Sequence, residues 1–235
     1  MSEEINKSSK QSSAQDKKNQ QAKQISQAAF KNGVILGLFA LVSTGLIAIT
    51  HFITKDKIAS EVELATARRL SQIIPADSYD NEPYHDCALV KDKNLSADDS
   101  AQKVFRLRNK GKNFALIQTS VAPDGYAGRI KLLVGVYKDG KIAGVRVSEH
   151  QETPGLGDKI EIEKSNWINQ FDGRSIADNP PETWQVRKDG GEFDALTGAT
   201  ITPRAIISAV YRTLEYYQEN GQAVFKLASN CGDSQ

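Results

Sequence analysis

The sequence predicts an α+β fold: an antiparallel sheet with packed helices, preceded by one transmembrane helix. Three observations carry this. From Asn32 to Thr54 no residue is charged when His51 is counted as neutral. The stretch Asn113–Val147 is rich in alternating β-branched residues around an Asp139-Gly140 turn, and Pro203–Glu219 repeats apolar residues at helical spacing. A chain of 235 residues is long enough for one domain with a core plus further segments. Its formal charge of +1 and the lack of a Lys/Arg stripe with interleaved aromatics give no electrostatic reason to expect nucleic acid as a partner.

In chain order, residues 1–32 are rich in Lys, Gln, Ser and Asn and poor in large apolar groups, which predicts a disordered tail. Residues 33–54 follow as the membrane span, since the Gly33–Ile53 run makes a helix of about 30 Å, the thickness of a hydrocarbon core. A buried core helix would be shorter and would show a polar stripe. A cleaved signal peptide is disfavoured by the length of the tail and the lack of an A-x-A pattern. Residues 55–78 read as a connecting helix that continues the anchor, with Ile58, Val62, Ala65, Leu70, Ile73 and Ile74 near one face and Pro75 as the stop. Residues 79–235 form the globular domain. Its Tyr79–Asn113 part is polar and reads as irregular. Asn113–Val121, Tyr126–Tyr137 and Lys141–Val147 read as strands, the last two joined at Asp139-Gly140 in a tight hairpin. The final helix buries Ile206, Ile207, Val210, Leu214 and Tyr217.

The two cysteines, Cys87 and Cys231, form no CxxC pair, so no metal site is expected; one disulfide and two free thiols are both compatible with their spacing. His51, His85 and His150 are scattered, and GxSxG, HExxH, Walker and GxGxxG motifs are absent, so no catalytic residue is assigned. Two glycine-containing loops remain. Asp194-Ala195-Leu196-Thr197-Gly198-Ala199-Thr200 leads into Thr202, a good N-cap, and Pro203, suited to the first helical position. The free N–H groups of that helix start would then suit a phosphate beside Thr200, with Arg204 adding a charge-assisted contact. The bland reading is a strand, a turn and a capped helix. His150–Lys159, with its Pro-Gly and Leu-Gly steps, has a sharply turned backbone able to approach a planar ligand, or is an ordinary surface turn. Trp167 and Trp184 are candidates for ring stacking, though single tryptophans more often anchor cores.

Taken together, D-x-x-T-G-A-T at Asp194–Thr200 and E-T-P-G-L-G at Glu152–Gly157 resemble the FMN-binding domain shared by the G subunit of Rnf (Rsx) electron-transport complexes and the C subunit of sodium-pumping NADH:quinone reductases. Likeness to the Rnf protein continues through Asp80-Asn81, Ala122–Tyr126, Gly144–Val147, Lys188–Gly191 and Thr200–Ala205, but not through the Lys/Gln-rich tail or the last residues with Cys231. The resemblance implies FMN joined by a phosphoester to Thr200, with Asp194, Thr197, Gly198 and Ala199 as recognition and contact positions. It places Glu152, Thr153 and Leu156 near the flavin. It further implies a flavin transferase that moves FMN from FAD, the other Rnf/Rsx subunits as partners, and electron transfer coupled to ion transport across the inner membrane. The Lys and Arg residues flanking the span are balanced, so charge alone leaves orientation open; the resemblance implies a cytoplasmic N-terminus and a periplasmic domain. The rival readings are the C subunit of the quinone reductase, a cofactor-free periplasmic binding or scaffold module, and a flavin-containing sensor, the last disfavoured by the lack of a signalling domain. From the uncharged run, the full chain is expected to stay with membranes through an alkaline carbonate wash, whereas a chain beginning near Lys55 is recovered in the soluble fraction; release of the full chain by carbonate would remove the anchor.

Overall fold

The computed structural model describes residues 2–231, and for residues 2–30, 56, 59, 60 and 62 the backbone alone. The chain divides into two units, the boundary falling between Glu61 and Val62. A single helix, α1 (Ser2–Ser71), runs through that boundary. Residues 2–30, expected as a disordered tail, are drawn as the first part of α1. Lys31–Lys55 within α1 is long and apolar enough to cross a membrane, and its Leu36, Phe39, Leu41, Ile47 and Phe52 side chains are exposed. An exposed apolar surface of this kind is one that a membrane or an apolar protein partner covers.

In the second unit α1 ends at Ser71, four residues before Pro75. Only its last turn and the residues after it enter a core: Leu70, Ile73 and Ile74 are buried, whereas Ile58 and Ala65, expected on the same face, are exposed. The Val62 side chain lies outside the described residues.

Five strands follow, β1 (Cys87–Val90), β2 (Gln102–Asn109), β3 (Lys112–Gly125), β4 (Gly128–Tyr137) and β5 (Ile142–Glu149), all antiparallel and paired in chain order. The expected Asp139-Gly140 hairpin joins β4 to β5, with Gly140 alone taking a positive φ of 86° and the Asp139 carboxylate accepting from Lys141 N–H at 3.1 Å. Between β2 and β3, Lys110 and Gly111 both take positive φ, the geometry of a type I′ hairpin. Both faces of the sheet are covered. On one face, Leu132, Val134, Val136 and Val145 pack beneath the buried stripe of α2 (Ile201–Val224) and beneath Trp167, Phe171, Trp184 and Phe193 of the 3-10-rich segment that precedes it. The two tryptophans are core anchors whose indole N–H groups donate to the carbonyls of Asp194 and Asn179. On the other face, Phe105, Leu107, Ala115, Ile117 and Leu133 meet the end of α1. Ile73 packs directly on Gly135 and leaves no room there for a side chain.

The region expected to be irregular, Tyr79–Asn113, supplies β1 and β2. The polar appearance of β2 comes in large part from Arg106 and Arg108. Arg106 is 2 % exposed: its guanidinium pairs with Asp86 at 2.7 Å and donates to the carbonyls of Val224 and Leu227 and to Ser229 Oγ. Arg108 pairs with the same Asp86 at 2.7 Å and donates to the Phe225 carbonyl at 3.1 Å. Cys87 and Cys231 form a disulfide with 5.7 Å between their Cα atoms, so the segment after α2 is tied to the sheet edge by two cations and one covalent bond. Arg106→Leu takes away one of the two cations on Asp86, leaving Arg108, and the guanidinium donor to the Val224 and Leu227 carbonyls, and is expected to lower stability by about 3 kcal/mol. A urea melt of the chain from Lys55 onward checks this; a change within experimental scatter would mean that the buried pair is idle.

Candidate functional site

The two glycine-containing loops meet. A cavity of about 250 Å³ is lined by Glu152, Thr153, Leu156 and Gly157 from one loop, by Gly198, Ala199, Thr200, Ile201 and Thr202 from the other, and by Tyr126 from the β3–β4 hairpin. Larger clefts of 420 and 480 Å³ lie against the end of α1, around Arg69 and Ser148, and contain neither motif.

Local backbone chemistry explains the meeting. In the first loop the Thr153 carbonyl accepts from the N–H groups of Leu156, Gly157 and Asp158, which folds the chain back on itself with Gly155 at a φ of 79°. In the second, Ala199 N–H donates to the Leu196 carbonyl at 3.1 Å across a turn in which Gly198 takes a φ of 81°. A Cβ on Gly198 would stand 2.7 Å from Leu156 Cδ2, the end of a movable side chain, so it is the positive φ that requires this glycine.

Glu152 ties the site together. It is 4 % exposed, and its two oxygens accept from Thr202 Oγ1 at 2.6 Å and from Ala127 N–H at 3.2 Å. One carboxylate thus joins the β3–β4 hairpin, its own loop and the first turn of α2. Gly125 and Gly157 have no space for a side chain because a Cβ would lie 2.8 and 2.6 Å from those same oxygens.

The start of α2 differs from the sequence expectation. Thr202 is not the N-cap, because its hydroxyl is turned inward to Glu152 and is fully buried. The cap is Thr200, whose side chain makes no capping hydrogen bond, and Pro203 falls third in the helix, where its missing N–H still costs nothing. Thr200 is exposed, and no acidic residue occupies the first turn. The free N–H groups of that turn therefore stand beside an available hydroxyl, an arrangement favourable to a phosphate. Arg204 is not free for an anion: it pairs with both oxygens of Asp189, at 2.6 and 3.0 Å, and donates to the Thr200 carbonyl at 3.1 Å. That pairing holds the Asp189 carboxyl below its ordinary range.

Of the residues singled out in the sequence, Thr200, Gly198, Ala199, Glu152, Thr153 and Leu156 line the cavity, whereas Asp194 and Thr197 do not. Asp194 pairs with Arg187 at 2.8 Å, and its backbone N–H donates to Gln170. Tyr126, Gly157, Ile201 and Thr202 also line the cavity, beyond the residues assigned to it from sequence. All four belong to stretches that carry the resemblance, and the apolar exposure of Tyr126 and Ile201 is visible only in the fold. Tyr126, Leu156 and Ile201, at 67, 41 and 45 % exposed, give the cavity an apolar rim. Glu152 is the one ionisable carboxyl among the lining residues.

The family described as FMN-binding domain matches residues 125–215, which include both motifs and Tyr126, and the family described as RnfG N-terminal region matches residues 22–73. Among similar proteins, the G subunit of the ion-translocating oxidoreductase complex of Vibrio atlanticus is 45 % identical over 202 residues, covering 86 % of this chain and 96 % of its own. The proteins of the same description from Pseudoalteromonas atlantica and Photorhabdus laumondii are 44 and 46 % identical, each over 86 % of this chain and over 94 and 96 % of their own. The cavity thus lies within the residues that match the FMN-binding domain, and the chain belongs to the family formed by the G subunit of the ion-translocating oxidoreductase complex.

Proposed function

We infer that this chain is the membrane-anchored electron carrier of an Rnf-type complex, holding FMN through a phosphoester to Thr200. The observation that carries the reading is the position of Thr200: an exposed, uncapping hydroxyl at the N-terminus of a 24-residue helix, on the wall of the cavity that unites both motifs. The residues fit the group. The first-turn N–H groups stabilise a phosphodiester anion, Gly198 and Ala199 leave the backbone open beside Thr200, and the rim of Tyr126, Leu156 and Ile201 offers apolar surface to a ring system. FMN, when bound, supplies reversible acceptance of one or two electrons. Attachment is a transfer: Thr200 Oγ forms the new bond to the FMN phosphorus of FAD, the pyrophosphate bond breaks, AMP leaves, and the hydroxyl proton goes to solvent or to the transferase. Coupling of electron flow between a low-potential carrier and NADH to Na⁺ or H⁺ movement then belongs to the assembled complex with its other subunits.

The proposed orientation places the N-terminus in the cytoplasm and the domain in the periplasm. The Cys87–Cys231 disulfide supports it, since such a bond persists in an oxidising compartment and is rare in the cytoplasm. The quinone-reductase reading is disfavoured by the relatives, which carry the description of the ion-translocating oxidoreductase complex.

Expressed with a flavin transferase, FAD and Mg²⁺, the protein is expected to gain the mass of FMN less one water and to fluoresce in a denaturing gel. Thr200→Val keeps the β-branched shape and should do neither, whereas Thr197→Val should retain at least partial labelling. Unlabelled wild type beside an active transferase returns the cofactor-free scaffold to first place, and labelled Thr200→Val means another acceptor. For topology, protease added to intact spheroplasts should digest the domain and spare residues before the span; the reverse pattern overturns the orientation.

A further inference from the structure

The Glu152 carboxylate is the one feature of the cavity that flavin retention does not account for. It borders the space where the ring system would lie, yet both its oxygens are already occupied by Thr202 and Ala127. Both contacts suit an acceptor-only carboxylate: the Ala127 N–H can only donate, and the Thr202 hydroxyl is able to. Among the described residues it makes no ion pair, whereas Asp158 and Asp194 on the two loops, and Glu161 and Asp189 close to them in sequence, each face a cation: Lys164 for Asp158 and Glu161, Arg187 for Asp194 and Arg204 for Asp189. The neighbouring His150 does not neutralise it. Its Nε2 is 2.8 Å from Glu161, and its Nδ1 accepts the Glu152 backbone N–H at 3.0 Å.

Burying a carboxyl without a cation is costly, and two glycines leave the room it occupies, so the fold maintains this charge against a penalty. An amide of the same length at position 152 could accept the Ala127 N–H and donate to Thr202 Oγ1 without burying a charge. What only the carboxylate supplies is a fixed negative charge at low local dielectric, where its field acts strongly on a redox group and disfavours addition of an electron.

We propose that Glu152 is a positioning residue that also acts electrostatically, setting the first turn of α2 beneath Thr200 and lowering the reduction potential of the flavin held in this cavity. The proposal rests on FMN occupying the cavity, and the test separates the two. Full-length protein in detergent is labelled with a flavin transferase, FAD and Mg²⁺; labelling is followed by mass and the midpoint potential by dye-coupled titration. Glu152→Gln, which keeps size and removes charge, should be labelled and should shift the midpoint to a more positive value. Thr202→Val breaks the 2.6 Å hydrogen bond but keeps the charge; it should slow labelling and leave the midpoint at the wild-type value or below it. An unchanged midpoint in labelled Glu152→Gln overturns the proposal, as does an equal positive shift in both variants, which would make the effect one of geometry. Should Glu152→Gln take up no flavin, Glu152→Asp must restore both uptake and the low midpoint, and uptake by neither also overturns it. Wild-type protein that stays unlabelled counts against the flavin reading itself.

Discussion

An antiparallel sheet that is apolar on both faces has to be covered twice, and that requirement governs the arrangement of the residues from Val62 onward. Leu132, Val134 and Val136 of β4 face α2, while Leu133, between them in sequence, faces the end of α1. Since neighbouring side chains on a strand point to opposite faces, a one-residue slip of β4 would exchange the two sets. The register is thereby fixed, and with it the place where α2 begins. Long runs such as Leu132-Leu133-Val134 are the sequence form of this double burial, as distinct from strict alternation of apolar and polar residues.

Where the cover of one face ends, three loops converge, and a buried carboxylate closes the junction. The β3–β4 hairpin contributes the Ala127 N–H, α2 contributes the Thr202 hydroxyl, and Glu152 receives both. The geometry of the cavity is thus coupled to the sheet through the hairpin and to the helix through its first turn. The inward pull on Thr202 explains why the exposed cap position falls to Thr200, whose hydroxyl is left without a partner in the cap. An unused hydroxyl at a helix N-terminus gives up little of its helix's stability on modification, because it was not satisfying an N–H group.

What could be read from the sequence was whatever depends on neighbours along the chain. The uncharged Asn32–Thr54 run, the Asp139-Gly140 turn and the Ile206, Ile207, Val210, Leu214 stripe are local patterns, and each has its counterpart in the fold. The features that were not legible depend on partners far away in sequence. β2 reads as polar because Arg106 appears as a surface cation until the carbonyls of Val224 and Leu227, over a hundred residues later, surround it. Thr202 reads as a cap until Glu152 claims its hydroxyl, and Arg204 reads as a free cation until Asp189 takes it. The motif loops could be named from resemblance, but their sorting into cavity walls, with Asp194 and Thr197 directed elsewhere, follows from turn geometry around Gly198 that single-residue preferences do not specify.

The size of the cavity bears on why a carrier of this design would hold its cofactor by a bond. A space of about 250 Å³ bounded by Tyr126, Leu156 and Ile201, all substantially exposed, buries only part of a flavin, and the apolar contact it offers is correspondingly limited. Affinity from such a site falls short of what deep enclosure gives, since retention scales with the area removed from water. Enlarging the cavity would bury the ring system but also lengthen the path for an electron to any partner. In the reading proposed above, a phosphoester at the helix N-terminus would separate these demands: retention would fall to a covalent bond, electrostatics to the buried Glu152 carboxyl, and the open rim would remain for exchange of electrons with the rest of the complex.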